Sequence, residues 1–161
     1  MYGGHDACGG NRGDTFEWDG ASWVQVAPSQ ALPGAWFGSA LFESPSSMGL
    51  MLFGGADPGG QVTTDSFSRL IGGVWSSVTT TWSPSSRVKA AAAYHEAAGK
   101  VILFGGVPNQ NGVTLGDSWT FDGTEWRPEL EYITSPINGN RYALTPPMTW
   151  QDAEALAVLE G

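Results

Sequence analysis

Leu50-Met51-Leu52-Phe53-Gly54-Gly55 and Val101-Ile102-Leu103-Phe104-Gly105-Gly106 are one motif written twice, a short apolar run halted by two glycines. Tyr2-Gly3-Gly4 is a third copy, and the Gly-Gly pairs recur at intervals of 51 residues both times. Other landmarks travel with them. Asp14, Asp65 and Asp117 stand 51 and 52 apart, and Trp23, Trp75 and Trp126 stand 52 and 51 apart. A period of this length marks an architecture assembled from repeated units. Within each period, short apolar or alternating runs bounded by Gly, Pro, Asn and Asp read as strands. Ala35 to Phe42, Met48 to Phe53, Thr64 to Arg69 and Val74 to Val78 form the middle set. Lys89 to Tyr94, Lys100 to Phe104, Asp117 to Phe121 and Glu125 to Leu130 form the last, while Asp14 to Trp18 and Ser22 to Val26 belong to the first. Asp19-Gly20 and Asp122-Gly123 suit the positive φ angles of a tight hairpin, and the middle set uses Gly72-Gly73 with one extra residue. Each full period is therefore expected to be a four-stranded antiparallel meander.

The composition agrees with an all-β reading. The chain has 161 residues, enough for one ordinary domain; charged residues are only 14%, while Gly at 23, Pro at 10 and Trp at 8 are abundant. Lys and Arg total 7 against 16 Asp and Glu, a net charge of -9 that repels a phosphate backbone and removes nucleic acid from the expected partners. Cys8 is the single cysteine, so an internal disulfide and a Cys-based zinc cluster are both excluded. No apolar run approaches the roughly 18 residues of a membrane span, and the opening MYGGHDACGG has no apolar signal core.

The pattern resembles the kelch repeat of β-propellers. That family's signature is a strand ending in Gly-Gly, then a polar loop, then an aromatic spaced from a Trp. Gly3-Gly4, Gly54-Gly55 and Gly105-Gly106 match its first part, and Trp23, Trp75 and Trp126 its last. Phe16 and Trp119 precede their Trp with six residues between, Phe67 with seven, and Arg69 stands where the other copies carry Trp18 and Phe121. The resemblance covers residues 1–132 and implies a partial propeller of about two and a half blades: 1–33 partial, 34–84 full and 85–132 full. Gly-Gly lets the backbone turn and approach a neighbour without a Cβ clash, and a Trp can fill the wedge between sheets. Because one sheet cannot bury both faces, blades must stack, and a closed propeller needs roughly four to eight. The chain is thus expected to be a fragment, with Met1 aligned to Leu52 inside a second strand and only the last two strands of the first period present. Trp23, Trp75 and Trp126 are all expected to be buried. Uncovered sheet faces and Lys-poor strand edges are expected to make the isolated chain self-associate.

Beyond the repeat, 133–139 reads as a linker from its Pro136 and Asn138-Gly139 punctuation. In 140–161, Arg141 to Leu144 is strand-like, Thr149 suits a helix N-cap, and Trp150, Ala153, Leu156 and Ala157 lie at helical spacing. This stretch is similar to the opening strand and first helix of a C-type lectin-like domain, which implies a module cut short before that family's calcium and sugar ligands. A helix that covers a sheet edge is the alternative.

Candidate chemistry is sparse. Arg12-Gly13-Asp14 spells an adhesion tripeptide, yet Gly13-Asp14 aligns with Gly116-Asp117 and so has a structural role. His5, Asp6 and Cys8 could ligate a metal, but their copies are Ala56, Asp57 and Gly59, then Val107, Pro108 and Gln110, and a fourth ligand is missing. His95-Glu96 falls at a hairpin turn, and no Gly-x-Ser-x-Gly nucleophile motif occurs. No catalytic residue, cofactor or metal site is expected. The longest loops, His5 to Gly13, Ala56 to Thr63 and Val107 to Gly116, offer Asp57, Gln61, Asn109, Gln110 and Asn111, whose polar groups suit sugars or peptide backbones. The expectation is a non-catalytic interaction or ligand-binding part of a larger secreted or surface protein, with a protein or carbohydrate partner. The alternatives are a part of a kelch-type carbohydrate oxidase whose copper ligands lie in other blades, and an intracellular scaffold propeller.

Overall fold

Short apolar runs punctuated by Gly and Asp give strands of three to eight residues in the structure, a computed structural model that describes residues 1–5, 11–26, 37–43, 49–57, 64–108, 112–129, 131–134 and 141–144. The described chain is all-β. Sheet I holds β1 (Tyr2–His5), β2 (Asn11–Trp18) and β3 (Trp23–Val26). Sheet II holds β4 (Ala40–Glu43), β5 (Leu50–Phe53), β6 (Phe67–Ile71) and β7 (Val74–Ser77). Sheet III holds β8 (Ala91–His95), β9 (Lys100–Phe104), β10 (Ser118–Phe121) and β11 (Trp126–Pro128). All three are antiparallel meanders in chain order, and the two full periods are four-stranded as expected. Sheet I has three strands rather than two. Its β1 pairs with β2 from Tyr2↔Thr15 to His5↔Asn11, so Asn11 to Gly13, read as loop from the sequence, are strand.

Register corrects the sequence alignment. Phe53↔Phe67 and Leu70↔Trp75 in sheet II correspond to Phe104↔Ser118 and Phe121↔Trp126 in sheet III, a constant offset of 51. Gly54 N donates to Ser66 O as Gly105 N donates to Asp117 O. The counterpart of Asp117 is therefore Ser66, not Asp65, and Leu70, not Arg69, stands with Trp18 and Phe121. Phe67 is one place off the position of Trp119, and a one-residue shift in a strand moves a side chain to the opposite face. The turn at Gly72-Gly73 is no longer than its fellows: four residues separate Leu70 from Trp75, as they separate Trp18 from Trp23. It also shows positive φ at both glycines, 59° and 78°, the primed-turn signature, whereas Asp19 and Asp122 close their turns with their carboxylates.

Sheets stack face to face. Phe42, Met51, Phe53 and Phe67 of sheet II meet Val101, Leu103, Trp119, Phe121 and Trp126 of sheet III in one buried cluster. Trp126 is within 5.5 Å of Phe53, ring to ring, and Phe67 lies 4.9 Å from Phe121. At the junction of sheets I and II, Trp75 packs on Tyr2 at 5.8 Å and joins Leu52 in a smaller cluster. Each buried Trp thus faces the sheet that precedes it. Trp75 and Trp126 are buried as expected; Trp23 is exposed, because no described sheet lies before sheet I.

The strand-end glycines set the crossing from one sheet to the next. Gly55 N donates to Arg87 O at 2.9 Å, and a Cβ on Gly54 (φ 70°) would run into that same carbonyl. Gly106, the counterpart of Gly55, makes a different close approach, a Cβ there lying 2.8 Å from Val88 O, which is bridged to Val107 within the same repeat unit. The entering strands are joined by Lys89 N to Gly38 O at 2.7 Å. Lys89, equivalent to Gly38, takes φ 59°, the left-handed region that disfavours a side chain.

After sheet III, β12 (Glu131–Thr134) pairs with β13 (Arg141–Leu144) as an antiparallel hairpin. Arg141 to Leu144 is a strand as expected, while Ile133 and Thr134, read as linker, are in β12. The helix expected around Trp150 to Ala157 lies outside the described residues.

Gly54→Ala should cost more than about 2 kcal/mol, since it adds a backbone collision to the left-handed penalty, whereas Gly72→Ala, with open space around it, should cost about 1. Urea unfolding measures both; equal losses would deny the close crossing. Lys89→Gly should raise stability by about 0.5–1 kcal/mol in the same assay.

Candidate functional site

The two stacked junctions differ at one position with large effect. By register, Thr15 of sheet I occupies the place of Phe67 in sheet II: each faces the strand ended by Gly-Gly, opposite Tyr2 and Phe53 respectively. A ring fills the wedge between sheets II and III; a hydroxyl stands in the wedge between I and II. Trp75 Nε1 donates to Thr15 Oγ1 at 3.1 Å, both buried. Trp126 Nε1 is also buried but meets hydrocarbon and has no acceptor among the described residues. An indole N–H left in that state costs roughly 1–3 kcal/mol, so the polar junction relieves what the dry one tolerates.

The smaller side chain leaves room. A cleft of about 780 Å³ opens between sheets I and II, lined by Thr15, Glu17, Val26, Glu43, Leu50, Leu70 and the turn glycines Gly72 and Gly73, with Trp18 and Trp23 at its border. Glu17 and Glu43 are exposed, and Leu50 and Leu70 half-buried. The site therefore combines apolar walls with two carboxylate acceptors. It offers no base paired with a nucleophile and no gathered metal ligands: among the described residues no three His, Cys, Asp or Glu converge.

A second polar cluster is structural. Arg87, fully buried, donates through Nη1 to Asp117 Oδ1 (2.7 Å) and to Gly105 O (3.0 Å), through Nη2 to Asp117 Oδ2 (2.8 Å) and Ser85 Oγ, and through Nε to Ser85 O. Every guanidinium edge is used. Trp119 Nε1 adds a 2.7 Å bond to Asp117 Oδ2. Burial acts to raise the Asp117 carboxyl, but the bonds from Arg87 and Trp119 and the Arg87 charge outweigh it, so it titrates below the ordinary 3.8. Asp14 has a lighter duty, accepting from Gln25 Nε2 at 3.3 Å.

Of the sequence-chosen loop residues, Asp57 is half-buried just past the Phe37↔Ala56 bridge, and Gln61, Asn109, Gln110 and Asn111 lie outside the described residues, as do Asp6 and Cys8. His95 caps the 3₁₀ turn Glu96–Ala98, its Nδ1 accepting from Ala98 N at 3.1 Å. The cleft escaped sequence reading, because Thr15, Glu17, Glu43 and Leu70 come from three separate strands. No protein-family model and no curated protein matches the chain.

Asp117→Asn should destabilise the chain by about 3 kcal/mol or more at neutral pH, since it leaves a buried guanidinium uncompensated. The carboxyl's depressed value means its contribution is full above pH 3.8 and fades as pH falls through the lower folded value. The gap between wild type and variant in urea midpoint should therefore be constant from pH 7 to 5 and shrink below pH 3.8.

Proposed function

We propose that residues 1–132 are a stretch of kelch-type β-propeller acting as a non-catalytic ligand-binding scaffold of a secreted or surface protein, with a neutral, hydroxyl-rich ligand such as an oligosaccharide seated between sheets I and II. The Gly-Gly corners, the four-stranded meanders and the Trp side chains packed across each junction support the propeller reading. The single observation that carries the ligand is the difference between the two junctions: Thr15 sets a hydroxyl between sheets I and II at the position from which the ring of Phe67 fills the junction of sheets II and III, and a cleft lies beside it. Carboxylates accept from sugar hydroxyls, and Val and Leu side chains meet their C–H faces. A net charge of -9 disfavours anionic ligands in favour of neutral ones. A secreted or surface setting accords with the acidic, Lys-poor composition.

Titration calorimetry with a panel of neutral oligosaccharides tests the reading. Binding should weaken about tenfold in the double variant Glu17→Gln, Glu43→Gln, through loss of charge-assisted hydrogen bonds. Thr15→Phe, which sets between sheets I and II the ring that Phe67 supplies between sheets II and III, should abolish binding while the chain stays folded. Binding that survives Thr15→Phe, or no binding by any sugar of the panel, overturns the assignment.

A further inference from the structure

Sheets I and III each carry one face that their counterparts bury. In sheet II, Leu70 and Trp75 face sheet I, and in sheet III, Phe121 and Trp126 face sheet II; the equivalent pair in sheet I, Trp18 and Trp23, is 52% and 56% exposed, the two rings 5.6 Å apart. At the other end, Met51 and Phe53 of sheet II are buried against sheet III. Their equivalents in sheet III, Ile102 and Phe104, are 38% and 53% exposed, while the alternate residues Val101 and Leu103 are fully buried against sheet II. A strand whose two faces are both apolar is built to be covered twice.

These open faces are the two halves of a junction the chain already makes. Inside the molecule, the Met51–Phe53 face receives the Phe121–Trp126 face. We infer that the Ile102–Phe104 face of one copy of this chain receives the Trp18–Trp23 face of a second copy, head to tail. The occupant is a second copy because both complementary surfaces lie on the one chain, in the same register positions as the internal junction. Such a contact is heterologous, so it must either close into a ring or extend. Two copies of three stacked sheets give a ring of about six, within the roughly four to eight that close. Trp18 and Trp23 also border the cleft, whereas Ile102 and Phe104 do not, so Phe104→Glu is the variant that separates the two readings: it should lose pairing and keep the sugar titration.

Sedimentation velocity of the 161-residue chain and two variants tests this. Wild type should sediment as two copies. Trp23→Glu and Phe104→Glu, both at exposed positions, should each give a folded species of half the mass. The decisive arm is mixing: Trp23→Glu retains the native Phe104 face and Phe104→Glu the native Trp23 face, so a mixture should recover a one-to-one pair held by a single native contact. A monomeric wild type, a variant that still pairs by itself, or a mixture that stays monomeric overturns the proposal. Near-ultraviolet circular dichroism of each variant, expected to match wild type apart from the lost Trp23 signal, confirms that loss of pairing is not loss of fold.

Discussion

Arg87 holds two successive sheets by opposite ends of one residue. Its carbonyl accepts from Gly55 at the corner that ends β5, and its guanidinium donates to Gly105 O at the next corner and to both oxygens of Asp117. The bare backbone of Gly54 is what lets the Arg87 carbonyl come close enough. From this crossing follow the spacing of sheets II and III and the wedge into which Trp126 and Phe121 fit. A buried ion pair gains little against a hydrophobic replacement, so its value here is in fixing position: a bidentate fork tolerates only one placement of the two corners.

The junctions built on this spacing are not equivalent. Between sheets II and III, aromatic rings from both sides interlock and even an unbonded indole N–H is accommodated. Between I and II, Thr15 satisfies the indole of Trp75 and gives up volume. One position thus trades packing for polarity. A cavity lined by Leu, Val and two carboxylates is costly to leave in a protein that gains its cohesion from stacked faces, which is the physical reason to look for function there.

How much of this was legible in the sequence depends on the range of the interaction. The Gly-Gly corners, the meanders and the burial of Trp75 and Trp126 follow from local pattern and period, and the structure has them. Register was harder. Asp65 was matched to Asp117 because both are aspartates, yet hydrogen bonding assigns that place to Ser66, and Phe67 accordingly faces the following sheet instead of the preceding one. Trp23 was expected to be buried on the strength of its repeat position, but burial needs a neighbour as well as a position. The partner of Asp117 was hidden because Arg87 lies 30 residues away in a segment between strands. A signal for the cleft existed in Thr15, a small residue at the strand position where the next period carries Phe67, but only after register is known.

The meander topology also separates two scales of chain closure. Within a sheet, neighbours such as Phe53 and Phe67 are 14 positions apart, whereas the bond from Trp75 to Thr15 spans 60. Closing the longer loop costs only about 1.3 kcal/mol more in chain entropy, but it rewards nothing until both sheets exist. Folding is therefore ordered: each meander forms from local pairings, and stacking follows. In the interval sheets II and III show two apolar faces, and a stacking face on another chain is chemically the same as one on its own. The kinetic competition between stacking within a chain and stacking between chains is set by protein concentration, so refolding yield should be governed by dilution more than by denaturant.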